Sequence, residues 1–180
     1  GVLIAEVLDR SIAPPPQLLM LAYGRRWNRL YVGSTEGWRD EAPALGLDGD
    51  AERSGAYPEW LRERARTDPR FDRKDELPFR ANGNTFDAAI GDLDGDGAFD
   101  LVIAEITHAW AGPSSDRTRT LLQLGGRFVA EPEWCLDRIP PNDSPDARRW
   151  NQGDLFVDVA DLDLDGRLDV ILARGDYPDP

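Results

Sequence analysis

Two stretches of this chain carry aspartates on alternate residues. Asp92, Asp94 and Asp96 are followed by Gly97 and, at the ninth place, by Asp100; Asp161, Asp163 and Asp165 are followed in the same spacing by Gly166 and Asp169. A hard divalent cation takes six or more converging oxygens, and a tight turn supplies them from alternate residues while its glycine takes a backbone angle that other residues resist. The seventh position, Ala98 or Arg167, contributes only its backbone carbonyl, so its side chain is free to vary. Without an ion, carboxylates about 4 to 5 Å apart repel by a few kcal/mol per pair at an effective dielectric near 20. Oxygen-only ligation in a flexible loop selects Ca²⁺, with Mg²⁺ second because magnesium keeps its water. A lone Asp-Gly pair marks only a turn, and Leu47-Asp48-Gly49-Asp50 reads that way because the later acids are missing. An EF-hand would need a bidentate acid at loop position twelve, where this chain has Ile103 and Leu172. The flanks Leu101-Val102-Ile103 and Val170-Ile171-Leu172 read as buried strands.

Positioning such loops is the task of the elements around them. The segment from Ala88 to Ala104 recurs from Val157 to Ala173, 69 positions later. Leu3-Ile4-Ala5-Glu6-Val7 resembles Val102-Ile103-Ala104-Glu105-Ile106, which predicts a third, partial copy whose acidic loop would end at the start of the chain. Arg29 to Trp38 and Thr120 to Phe128 both read as strand, glycine-containing turn, strand. Each unit therefore predicts about four short antiparallel strands, the content of one propeller blade. At 69 residues per unit, 180 residues make about 2.6 units, so an all-β partial propeller over residues 1–180 is expected, as a piece of a longer chain or of a larger assembly. Residues 51–80 read as an insertion within it, with a helix from Pro58 to Arg66 stopped by Pro69. That insertion mixes eight basic with seven acidic residues and reads as a solvated excursion.

Composition removes several function classes. With 34 acidic against 21 basic residues the chain carries a formal charge of −13, which repels a phosphate backbone and leaves cations as the fitting ligand. One cysteine and one histidine exclude an intramolecular disulfide and a Cys/His zinc site. No apolar run approaches the roughly 20 residues of a membrane span. His108, just past a strand, reads as a structural hydrogen-bonding group, and Cys135 as a small core residue. Trp38 and Trp134 are expected in the core, while Trp27, Trp110 and Trp150 fall in loops.

At the aspartate loops the sequence resembles the FG-GAP/VCBS repeats of integrin α-chain-like β-propellers. Asp92 to Val102 fits the family's calcium loop throughout, and Asp161 to Val170 fits with Leu164 where the family has glycine. The resemblance implies a structural ion held by Asp92, Asp94, Asp96, the Ala98 carbonyl and Asp100, and a second held by Asp161, Asp163, Asp165, the Arg167 carbonyl and Asp169. It implies a calcium-binding scaffold that presents loops to a protein or glycan outside the cytoplasm. An enzyme on the same architecture, such as a polysaccharide lyase or hydrolase, is the rival, and a purely structural subunit of an assembly is a third reading. With no Gly-x-Ser-x-Gly elbow and most patterned carboxylates committed to ions, the inventory leans away from catalysis.

Overall fold

The computed structural model describes residues 2–4, 7–8, 17–24, 26–49, 59–69, 83–107, 117–136 and 150–178. His108, Trp110 and most of the 51–80 and 137–151 stretches lie outside them. The described chain is mostly β, in two sheets. The first contains β1 (Val2–Ile4), β2 (Gln17–Met20), β3 (Arg29–Ser34) and β4 (Gly37–Asp40), paired in that order. The second contains β5 (Thr85–Gly91), β6 (Asp100–Thr107), β7 (Arg119–Leu124) and β8 (Arg127–Ala130), again paired consecutively, with β9 (Trp150–Ala160) and β10 (Asp169–Pro178) as a further antiparallel pair. A short pairing of Ile106 with Gly153 and Thr107 with Gln152 joins β6 to β9.

The 69-residue recurrence is realised in the hydrogen-bond register. Gly91 faces Asp100 as Ala160 faces Asp169, and Ala88 faces Ile103 as Val157 faces Leu172. Even the irregularity repeats: the pairing skips Phe86 in one unit and Leu155 in the other. A shift of one residue would turn every side chain to the opposite face, so a shared register means shared core positions. The partial copy at residues 3–7 is placed differently from expectation. β2, not β1, occupies the place of β6, because Leu19 faces Leu30 as Val102 faces Thr120, and β1 precedes it as β5 precedes β6. Four apolar residues with one acid among them fit any central strand, so that match located a strand without identifying which one. Between β1 and β2 the Gln17 amide takes over the anchoring, accepting from Leu8 N and donating to Leu8 O.

The core lies between consecutive units. Leu19, Leu21, Leu30 and Val32 of the first sheet meet Ala88, Leu101, Ile103, Leu121 and Phe128 of the second. Ala89, Val102 and Ala104, on the other face of β5 and β6, meet Val157, Val159 and Leu172. Each fully buried leucine or isoleucine contributes roughly 2 kcal/mol, which makes these two seams the main source of order. β6 is buried on both faces, which is why Leu101 to Ala104 reads as an apolar run without alternation. β10 has no sheet beyond it among the described residues, and there Val170 and Ile171 are exposed, against the expectation of a buried strand.

The tryptophans correct the sequence reading for the same reason. Trp38 pairs with Gly33 on the face of the first sheet that turns away from the second, and is 54% exposed; Phe128 holds the matching place in β8 and is 4% exposed. Trp134 is exposed too, in a 3-10 turn at Pro132–Trp134 and not in a strand. Among the described residues two α-helices interrupt the strands. α1 (Ala42–Leu45) ends at Gly46, whose φ of 80° suits glycine and whose missing Cβ would lie 2.6 Å from Phe128 O. α2 (Glu59–Thr67) is the helix expected within the insertion.

Candidate metal centre

Both aspartate loops connect the first two strands of a unit, and both fold by the same local rule. An aspartate side chain readily accepts from a backbone N–H two or more residues on, which holds the chain in a turn. Asp92 accepts from Gly95 N and Gly97 N, Asp94 from Asp96 N, and Asp96 from Ala98 N. In the second loop Asp161 accepts from Asp165 N and Gly166 N, Asp163 from Asp165 N, and Asp165 from Arg167 N. Glycine supplies the left-handed positions at Gly95, Gly97 and Gly166, while Leu164 takes a φ of 63° where the first loop has Gly95. Left-handed backbone costs a residue with a Cβ about 1 kcal/mol or more.

These turns gather carboxylates. One oxygen from each of Asp92, Asp94 and Asp96 lies within 4.8 Å of the others, and Asp161, Asp163 and Asp169 form the corresponding group. The donor set is oxygen only, which suits a hard cation. Exposure of Asp94, Asp96, Asp163 and Asp169 leaves each group open to solvent ions.

The loops differ in their closing residues. Asp100 is buried, and both of its oxygens are engaged: Leu93 N donates to Oδ2 at 2.8 Å and Gln123 N, from β7, donates to Oδ1 at 2.9 Å. Burial pushes its carboxyl above the usual range, the two backbone donors pull it back, and Asp94 and Asp96 add to the rise. Asp169 is exposed and accepts from Leu162 N at 2.9 Å. Asp165 is held by the Arg167 guanidinium at 2.7 Å, and that hydrogen bond draws its carboxyl below the usual range. The geometry thus brings Asp92, Asp94 and Asp96 together while Asp100 braces the loop, and brings Asp161, Asp163 and Asp169 together while Asp165 turns to Arg167. Ala98 and Arg167 both lie within these turns, as the spacing requires.

A buried polar group that the sequence reading missed lies at the opposite end of β5 and β6. Asn28 Nδ2 donates to Thr85 Oγ1, Thr85 Oγ1 donates to Glu105 Oε1 at 2.9 Å, and Arg119 stands 3.6 Å from the same oxygen. Thr85 N also donates to Ala22 O, so this group stitches the first sheet to the second. Asn28 lies just before β3 and Thr85, Glu105 and Arg119 lie singly in three strands, so no local spacing marks them. Cys135 donates from Sγ to Glu131 O, and burial raises its thiol, as suits a packing residue. No described helix is long and apolar enough to cross a membrane. No protein-family profile, curated protein or solved structure matches the chain.

Proposed function

We propose that this chain is a run of FG-GAP/VCBS-type β-propeller blades clamped by two calcium ions, acting as a binding or scaffold module outside the cytoplasm for a protein or glycan partner. The observation that supports it is the pair of aspartate loops, 69 positions apart, each gathering three carboxylates between strands in matching register. In this reading one ion is held by Asp92, Asp94, Asp96, the Ala98 carbonyl and Asp100, and the other by Asp161, Asp163, Asp165, the Arg167 carbonyl and Asp169. A bound cation neutralises carboxylates that otherwise repel, so it supplies stability and a fixed loop shape rather than chemistry.

The experiment is thermal unfolding in calcium, in magnesium and in chelator. At a free concentration 100 times the dissociation constant, one site contributes about 2.7 kcal/mol, so calcium should raise the melting temperature well above that in chelator, and above that in magnesium. Asp94→Ala combined with Asp163→Ala should remove the difference. Coincident melting curves in all three conditions would overturn the reading.

A further inference from the structure

We infer that Gln17 is a built-in, uncharged counterpart of Asp100, and that it makes the first unit's strand connection independent of any cation. The register carries the correspondence. The hairpins β3–β4 and β7–β8 turn alike, with Ser34 facing Gly37 as Leu124 faces Arg127, and Glu41 N donates to Leu30 O as Glu131 N donates to Thr120 O. Leu30 therefore stands for Thr120, its neighbour Leu19 for Val102, and Gln17, two residues earlier, for Asp100. The far end of the same strands agrees: Ala22 N donates to Asn28 Oδ1 as Glu105 N donates to Thr118 Oγ1.

The two side chains hold the same place by different chemistry. Asp100 Oδ2 accepts from Leu93 N at 2.8 Å, and Gln17 Oε1 accepts from Leu8 N at 2.8 Å. Leu8 is buried in the seam between the first two sheets, as Leu93 packs on the seam beyond β6. A carboxylate can only accept, and the second oxygen of Asp100 is taken by Gln123 N. An amide also donates. Gln17 Nε2 returns a bond to Leu8 O at 3.1 Å, so one side chain, 2% exposed, satisfies both backbone groups of Leu8. It brings no charge, so there is no repulsion for an ion to relieve, whereas the other two connections gather three carboxylates each. The first sheet is also fastened to the second without either aspartate loop, through Leu19 and Leu30 against Leu101 and Ile103, through Asn28 with Thr85, and through Thr85 N with Ala22 O. Calcium removal therefore loosens the two aspartate loops and leaves β1, β2 and β3 in place. That contrast rests on the calcium reading proposed above, whereas the Gln17 brace does not.

The test is NMR-detected hydrogen exchange of the full chain in calcium and in chelator. The amides of Leu8, β2 and β3 are expected to exchange at the same rate in both, while those of Gly95, Gly97, Asp165 and Gly166 exchange faster in chelator. Gln17→Met keeps the volume and removes both bonds, and should speed exchange at Leu8 at least about tenfold in both conditions. Should that variant fail to fold, Gln17→Asn, one methylene shorter, is read in the same way. Protection of Leu8 that rises with calcium, or that survives both substitutions, would overturn the proposal and leave the calcium reading standing. Exchange indifferent to calcium throughout, with Leu8 still released in the variants, would keep Gln17 as the brace and remove the calcium reading.

Discussion

Leu168, in the second aspartate loop, packs over Gly91, the residue that leads into the first: a Cβ on Gly91 would lie 2.5 Å from Leu168 Cδ1 and 3.2 Å from Val159 Cγ2. The two loops thus lie side by side at a contact where a Cβ on Gly91 would displace the tip of Leu168. Gly91→Ala should push Leu168 outward and cost about 1–3 kcal/mol. Calcium affinity of the second loop should fall more than that of the first, because Asp169 follows Leu168 directly. Titrating the variant against the parent by calorimetry measures both effects.

Gly153 makes a tighter approach. A Cβ there would lie 2.1 Å from Glu105 O and 2.6 Å from Ile106 Cα, both backbone, at the point where β9 joins β6. Backbone cannot rotate aside as a side chain tip can, so Gly153→Ala should cost at least about 2 kcal/mol and separate β9–β10 from the preceding unit. Urea unfolding should show a lower midpoint, with a second transition once the units unfold separately.

Leu164 is strained in its loop. With φ at 63° and its side chain 85% exposed, it gains no burial to offset a left-handed backbone. Leu164→Gly should stabilise the chain by up to about 1 kcal/mol after the added freedom of the unfolded glycine is counted. The reverse change, Gly95→Leu, should destabilise it. Thermal unfolding of the two variants in chelator compares these backbone effects without an ion.

Arg167 occupies one carboxylate of the second loop. Its guanidinium pairs with Asp165, whereas the first loop has Ala98 in that place. Arg167 is solvent-exposed, so its repulsion of an ion at the proposed site is well screened, and Arg167→Ala should raise calcium affinity of the second loop only modestly. Competition with a fluorescent chelator is the measurement, and the first loop should not change.

Much of this was legible in the residues. The aspartate spacing located both loops, the 69-residue offset carried over into strand register, and the hairpins Arg29 to Trp38 and Thr120 to Phe128 formed as β3–β4 and β7–β8. What the residues did not disclose depends on neighbours in space. Trp38 and Phe128 occupy equivalent strand positions, and only the presence of a sheet on one side decides which is buried. β2 carries no motif, so its place in the order came from pairing with β3. α1 is four residues long, too short for helical periodicity, and rests on β8 through Gly46. The Asn28, Thr85, Glu105 and Arg119 group assembles from positions far apart in the chain, and sequence spacing holds no record of it.

The most direct measurement is calorimetric titration of chelator-treated protein with calcium chloride. Two ions per chain are expected, one remaining in Asp94→Ala and one in Asp163→Ala, with none in the double variant. No measurable heat at millimolar calcium, or a stoichiometry of two that persists in the double variant, would contradict the account.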